Sequence, residues 1–437
     1  MGPRRRWTVL LVLAALVGGG IALASVASGD ETRASAQPAE RAQVPRTRAP
    51  RELLPGLDPL DHHLDGDVLV SDLSDGRRAV LTLDPGLSEH VSTELARYEV
   101  PYASVVAIEP ATGRVLAYVS HSSANPGGGD LARDPTPPTA SVFKIVTAAA
   151  LVDAGVSPDE RVCYHGGFSR LTERDLLDTD RDDRCATLAD AVGGSINTVF
   201  AKLSVRHLDT PTLERYAAAF GFGHALPFDV PTQPSPGEVP SHETDRLEFA
   251  RTSAGFWHMH MSPLHGALIA ATLANDGKMP RAAIVDRVLA DNDRVVYRHE
   301  PEIFRAVIPR HTARTVGAMM ERTVTDGTAR RSFHDARGNA FLPGIRVAGK
   351  TGTLSGSDPY RGYTWWVGFA PADRPTIAVA ALVVNTPRWR IKASYLARET
   401  LRYYLVERPA LEAAQAAAAA AEAEPPAPPD AEAAGDE

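Results

Sequence analysis

The order of strand-like and helix-like stretches predicts an α+β fold: one antiparallel sheet built from both ends of the folded region, with a mostly helical middle. Three observations predict it. Two β-rich runs, Ala103–Ile108 and Arg114–Val119, flank the turn sequence Pro110-Ala111-Thr112-Gly113 and read as a hairpin. Two more, Tyr363–Phe369 and Thr376–Val384, come late in the chain and are joined by a short Pro-containing link at 370–375. Between these pairs the apolar residues recur with helical spacing, at Lys144–Ala154, Leu188–Leu203 and Pro263–Leu273.

The elements follow in chain order. Arg4, Arg5 and Arg6 precede Trp7–Ala27, a stretch of about twenty uncharged and mostly apolar residues, long enough to cross a bilayer as a helix. The arginines hold the N-terminus on the cytoplasmic side and direct the rest outward, so residues 1–27 are expected to be a cytoplasmic stub and single-pass anchor in the inner membrane. A cleaved signal peptide is the alternative, because Gly18-Gly19-Gly20 weakens the helix and Ala22-Leu23-Ala24 or Ser25-Val26-Ala27 match cleavage sites. Residues 28–60 read as a disordered tether, since 28–50 contain no aromatic residue and few large aliphatics to bury. The main folded domain is expected over 61–407, in the periplasm or outside the cell. Within it, Leu87–Tyr98 has helical spacing ahead of the first strand, and Ile345–Gly349 leads as a strand into Lys350. Residues 408–437 are mostly Ala, Glu and Pro and read as an acidic disordered tail, helix-prone over Ala413–Ala421.

A net charge of −8 argues against a nucleic-acid partner. The two cysteines, Cys163 and Cys185, lie beyond the apolar segment, where an oxidising compartment favours a disulfide; two buried thiols are the alternative. No metal or cofactor is expected. His258 and His260 alternate but have no carboxylate near them in sequence. The stretch Asp61–Asp67 reads as a solvated charged loop. Asp178, Asp180, Asp182 and Asp183 begin like a calcium loop, but Arg181, Arg184 and the missing glycine oppose it.

The residues that point to chemistry are lysines. Only five of the 46 basic residues are lysine, and two of the five stand in short motifs: Ser141-Val142-Phe143-Lys144 and Lys350-Thr351-Gly352-Thr353. A third motif, Ser195-Ile196-Asn197, lies between them. A lysine can lose its proton when desolvated, whereas an arginine effectively cannot. Each motif alone is weak; all three in this order come by chance at well under one in a thousand, a rough figure from composition. The proline-containing run at 137–140 precedes a helix-forming stretch, which places Ser141 in a first helical turn with Lys144 one turn on and on the same face. A lysine whose pKa is lowered by burial or by a second cation, here Lys350, can activate a serine nucleophile.

Together these motifs resemble the penicillin-binding protein transpeptidase domain, whose Ser-x-x-Lys and Lys-Thr-Gly elements are shared with serine β-lactamases. The resemblance spans about Leu83 to Val406. It extends to Glu109–Ala117, similar to the family's first hairpin; to Met261–Ala267, similar to its Thr-Pro-Leu-Gln-x-Ala helix; and to Asp326-Gly327-Thr328-Ala329 and Trp365–Pro371. It departs at Ser253-Ala254-Gly255-Phe256-Trp257, where many relatives have a Gly-Gln-Gly turn, and it includes neither a glycosyltransferase domain nor a large N-terminal pedestal.

The resemblance implies that Ser141 is the acylated nucleophile, Lys144 its base, and Ser195 and Asn197 the relay and substrate-amide contact. Lys350, Thr351, Gly352 and Thr353 would bind the terminal carboxylate of a D-Ala-D-Ala stem peptide, with the backbone N–H groups of Ser141 and Thr353 as the oxyanion hole. The implied activity is a membrane-anchored, penicillin-binding DD-transpeptidase that cross-links peptidoglycan, with β-lactams as inhibitors and cell-wall synthesis proteins as partners. The alternatives are a DD-carboxypeptidase and a non-catalytic β-lactam sensor or divisome scaffold. A β-lactamase is disfavoured, since no Glu-x-x-Leu-Asn element lies between Ser195 and Lys350, and class D enzymes have an apolar residue where Asn197 stands.

Overall fold

A computed structural model of the protein describes residues 53–167 and 170–423. The expected membrane anchor, the tether up to residue 52 and the end of the tail from 424 lie outside the described residues. Among the described residues no helix is long and apolar enough to cross a membrane.

The central sheet has five strands in the order Ala348–Ser357, Tyr360–Ala370, Ile377–Asn385, Tyr102–Ile108, Val115–His121, all antiparallel. The late strands are thus joined to the early hairpin through the pairing of Ala378 with Ile108, as the sequence pattern predicts. The middle strand, Ile377–Asn385, is buried at every position, and its run of small and branched apolar residues suits a strand covered on both faces. Its even-numbered residues, Ala378, Ala380 and Leu382, belong to one apolar core, while Val379, Ala381 and Val383 belong to another. The period-two alternation of a strand accounts for this division. On the first side the wholly buried helix Pro263–Leu273, continuing to Ala274, lies against the sheet at Gly266, where an added Cβ would stand 3.1 Å from the Ala380 Cβ. On the other side Leu87, Val91 and Leu95 of the helix Pro85–Arg97 and Leu396 and Leu401 of the helix Ala393–Arg402 cover Val105, Trp366 and Val383.

Four features differ from the sequence reading. The helix expected over Leu188–Leu203 is two helices, Leu188–Gly194 and Asn197–His207, because Ser195 takes left-handed backbone angles (φ 55°, ψ 42°) and ends the first. The tether expected over 28–60 is too long: Leu54 and Leu57 are buried in the main core, so the fold begins before residue 61. The stretch Asp61–Asp67 contains the exposed strand His63–Asp65, the edge of a second antiparallel sheet that continues through Val68–Asp72, Arg78–Leu81, Val285–Leu289 and Val295–Arg298. At the other end Arg408–Ala423 is helical, and Arg408 donates to Asp84 at 2.6 Å, so order extends into the expected tail.

Cys163 and Cys185 form a disulfide between directly opposed positions of the hairpin Arg161–Tyr164 and Arg184–Thr187. Closing a loop over a separation of 22 residues restricts the unfolded chain by about 3 kcal/mol. The acidic run inside that loop has a structural use: Asp178 and Asp182 accept hydrogen bonds at 3.1 and 2.6 Å from Lys202, whose side chain is fully buried. His258 pairs with Glu248, and the His260 ring meets the Thr136 carbonyl.

Candidate active site

Ser141 and Lys144 come together through a tight first turn. Ala140–Phe143 is a 3₁₀ turn rather than the α-helical turn that the sequence suggests, and the α-helix proper runs Lys144–Asp153. In 3₁₀ geometry residues three apart eclipse one another. Accordingly Lys144 Nζ donates to Ser141 Oγ at 2.9 Å. The turn is fixed from several directions. The Thr139 N–H donates to the Met259 carbonyl at 2.8 Å, the Met261 N–H to the Pro137 carbonyl at 3.0 Å, and Trp365 Nε1 to the Pro138 carbonyl at 2.8 Å. Gly255, at φ 79°, passes so close that an added Cβ would lie 2.3 Å from the Ala140 carbonyl oxygen. The departure from the family turn therefore keeps a glycine where the backbone needs one. Phe256 and Trp257 that follow form an apolar wall, with Trp257 44% exposed.

The break at Ser195 carries the second motif into the same place. Lys144 Nζ also donates to Asn197 Oδ1 at 2.7 Å and to the Ala254 carbonyl. From the edge strand Ala348–Ser357, Lys350 Nζ donates to Ser195 Oγ and to the Thr351 carbonyl, each at 2.9 Å. Both lysine side chains are wholly buried. Burial pushes the Lys144 ammonium well below its ordinary range, and the neighbouring charge of Lys350 adds to this. Burial alone lowers Lys350 to about 7. Two ammonium groups withdrawn from water without a carboxylate are a combination that favours a neutral amine beside the serine.

Ser141 and Asn197 open onto a cleft with two lobes of about 350 Å³ each. One is the apolar lobe under Phe256, Trp257 and Leu354. The other is a polar lobe lined by the hydroxyls of Ser195, Thr328, Thr351 and Thr353, the backbone of Gly352, and Lys392 and Ser394. Every site residue singled out from the sequence thus lies in one place: Ser141, Ser195, Asn197, Thr351, Gly352 and Thr353 on the cleft walls, Lys144 and Lys350 buried directly behind them. Three participants escaped the motif reading. Thr328, hydrogen-bonded to Thr351, belongs to the Asp326–Ala329 element, which signalled it only by position. The Ala254 carbonyl leaves no side-chain signal at all. Lys392 could have been found by asking where the remaining scarce lysines go.

Residues 103–402 match the model of the penicillin-binding protein transpeptidase domain. The chain belongs to that family. Among curated relatives it is 29% identical over 316 residues to the peptidoglycan D,D-transpeptidase PbpA of Mycolicibacterium smegmatis, covering 64% of this chain and 61% of the relative. It is 30% identical over 323 residues to PbpA of Mycobacterium tuberculosis, covering 64% and 62%. The chain therefore spans about six tenths of the length of these relatives. Among solved structures, the D,D-transpeptidase domain of an Eggerthella lenta peptidoglycan glycosyltransferase superposes with a TM-score of 0.63 at 25% identity, covering 77% of this chain and 84% of that one. Penicillin-binding protein A of M. tuberculosis, solved as a ceftriaxone acyl-enzyme, gives a TM-score of 0.62 at 25% identity, covering 76% and 80%.

Proposed function

We propose that this protein is a peptidoglycan DD-transpeptidase that joins stem peptides by acyl transfer through Ser141 and is acylated there by β-lactams. The observation that carries the reading is Lys144: a wholly buried amine, 2.9 Å from Ser141 Oγ and held by Asn197, whose surroundings favour the neutral form. In the reaction Ser141 Oγ adds to the penultimate D-Ala carbonyl as Lys144 takes its proton, and the backbone N–H groups of Ser141 and Thr353 receive the oxyanion. The proton passes by way of Ser195 to the leaving D-Ala nitrogen, the C–N bond breaks, and a serine ester remains. An acceptor amine then attacks the ester, and the reverse proton movement releases Ser141 and forms the cross-link. Among the described residues neither lobe of the cleft carries a carboxylate. Water entering the site thus has no dedicated base, which favours an amine acceptor over hydrolysis.

The reading includes attachment to the inner membrane by residues 7–27, with the catalytic domain outside it; the Arg-flanked apolar stretch supports this. Fluorescent penicillin is the test. It should label the wild type once, on Ser141, leave Ser141→Ala unlabelled, and stay attached for many minutes. A stem-peptide donor with an added amine should give the cross-linked product. Label on Ser141→Ala overturns the nucleophile assignment; fast release identifies a β-lactamase, donor hydrolysis regardless of amine a carboxypeptidase, and no label a scaffold or sensor.

A further inference from the structure

An acyl donor ending in a free carboxylate needs a countercharge, and the Lys-Thr-Gly lysine is poorly placed to supply it. Lys350 is wholly buried, with Nζ directed to Ser195 Oγ and the Thr351 carbonyl rather than to the cleft surface. Its lowered pKa, about 7, further weakens its charge near neutrality. Yet the polar lobe is built for an anion. Its walls are hydroxyls from Thr351, Thr353 and Ser394, no Asp or Glu lines it among the described residues, and one cation does: Lys392.

Lys392 directly precedes the helix Ala393–Arg402, is exposed, and lines the polar lobe. Its ammonium lies 5.8 Å from the ring centre of Trp389 and makes no ion pair with a described carboxylate. Ser394 is pinned by Ser332 at 2.7 Å, and Asn385, through its side-chain contacts with the Ile391 carbonyl at 3.0 Å and the Arg390 N–H at 2.8 Å, ties down the segment that leads to Lys392. The cation therefore stands on an anchored segment, beside hydroxyls that can accept or donate.

We infer that Lys392 is a specificity-determining residue of this cleft, supplying the positive charge that receives the donor's terminal carboxylate while Thr351 and Thr353 supply its hydrogen bonds. The inference rests on the acyl-transfer reading of the same site. It makes the carboxylate a matter of charge at an exposed residue: Lys350 orders Ser195, and Lys392 selects the substrate. An exposed ammonium and carboxylate in partial contact with water are worth up to about 1 kcal/mol, or about fivefold in apparent affinity.

The test compares a fluorescent penicillin carrying its free carboxylate with the methyl ester of the same compound, following the rate of Ser141 acylation against concentration. In the wild type the acid should be preferred, and rising ionic strength should erode that preference. Lys392→Gln should lower the acid-to-ester preference about fivefold through the half-saturating concentration of the acid, and Lys392→Arg should restore most of it. An acid-to-ester ratio equal in the wild type and Lys392→Gln, or insensitive to salt in the wild type, overturns the assignment while leaving the acyl-transfer reading intact. Absence of acylation by either compound in the wild type overturns both. Should Lys392→Gln fail to fold, the salt dependence and the Lys392→Arg variant decide alone.

Discussion

Replacing Lys144 tests whether a neutral amine drives the chemistry. In Lys144→Arg the head group stays charged at any working pH, so the proton acceptor now 2.9 Å from Ser141 Oγ is gone. Losing a positioned base costs about 10²- to 10⁴-fold in rate, or about 3–5 kcal/mol of barrier. Arginine is also too large for a site closed by Asn197, the Ala254 carbonyl and the Phe200 ring 5.5 Å away, and overpacking should cost about 1–3 kcal/mol of stability. Lys144→Met separates these effects, since it fills the space and removes the base. The assay is the second-order rate of Ser141 acylation by fluorescent penicillin as a function of pH, with Tm measured in parallel. Both variants should lose at least about a hundredfold, with Lys144→Met keeping or raising its Tm. The neutral amine is the active form, so the wild-type rate should rise with pH as Lys144 gives up its proton. Burial first and the Lys350 charge second hold that proton loss below the ordinary amine range. Lys350→Gln, which removes the second cause, should move the rising limb to higher pH, whereas Lys350→Arg keeps a charge and should keep part of the acylation. A Lys144→Met protein that acylates within about tenfold of the wild type would refute the reasoning.

Two further outcomes are expected. Gly255→Ala forces a Cβ against the Ala140 carbonyl at a φ of 79°, and should lower stability by about 2 kcal/mol and acylation by more than tenfold; an unchanged Tm and rate would show that the turn can yield. Lys202→Met leaves the buried Asp182 without one of its partners and should cost about 3 kcal/mol, read by denaturant unfolding. Burial alone would raise Asp182, but hydrogen bonds from His165 and Lys202 outweigh it and hold the carboxyl at about 2. A depressed carboxyl stabilises the fold above its unfolded value of about 4, and that stability fades as pH falls towards 2. The wild type should therefore lose stability over that window more steeply than Lys202→Met, and parallel curves would remove Asp182 from the account.

The sheet was legible because its strands are long and apolar and their order at both ends of the chain leaves few ways to pair them. The site was legible through residue types that chemistry restricts, lysine above all. What escaped is physical rather than statistical. No propensity marks Ser195 as the residue that breaks the middle helix, since its left-handed angles are imposed by the corner it turns. The small second sheet escaped because its strands are short and those at its two edges largely exposed, so they show little alternation. The acidic run that begins like a calcium loop gave no hint of the buried ammonium that Asp178 and Asp182 meet, because Lys202 lies 20 or more positions away. The Ala254 carbonyl, one of the three acceptors around Lys144, belongs to the backbone and has no sequence signature.

The two ammonium groups withdrawn from water behind Ser141 have an evolutionary consequence. Each is a position where methionine or leucine would make a tougher protein, so stability and chemistry pull in opposite directions at residues 144 and 350. A library of this chain screened for heat resistance alone should shed its lysines there early, and a duplicated copy relieved of acyl transfer should drift the same way. Retention of both lysines in a descendant then serves as a sign that selection still acts on turnover, whatever else in the sequence has changed.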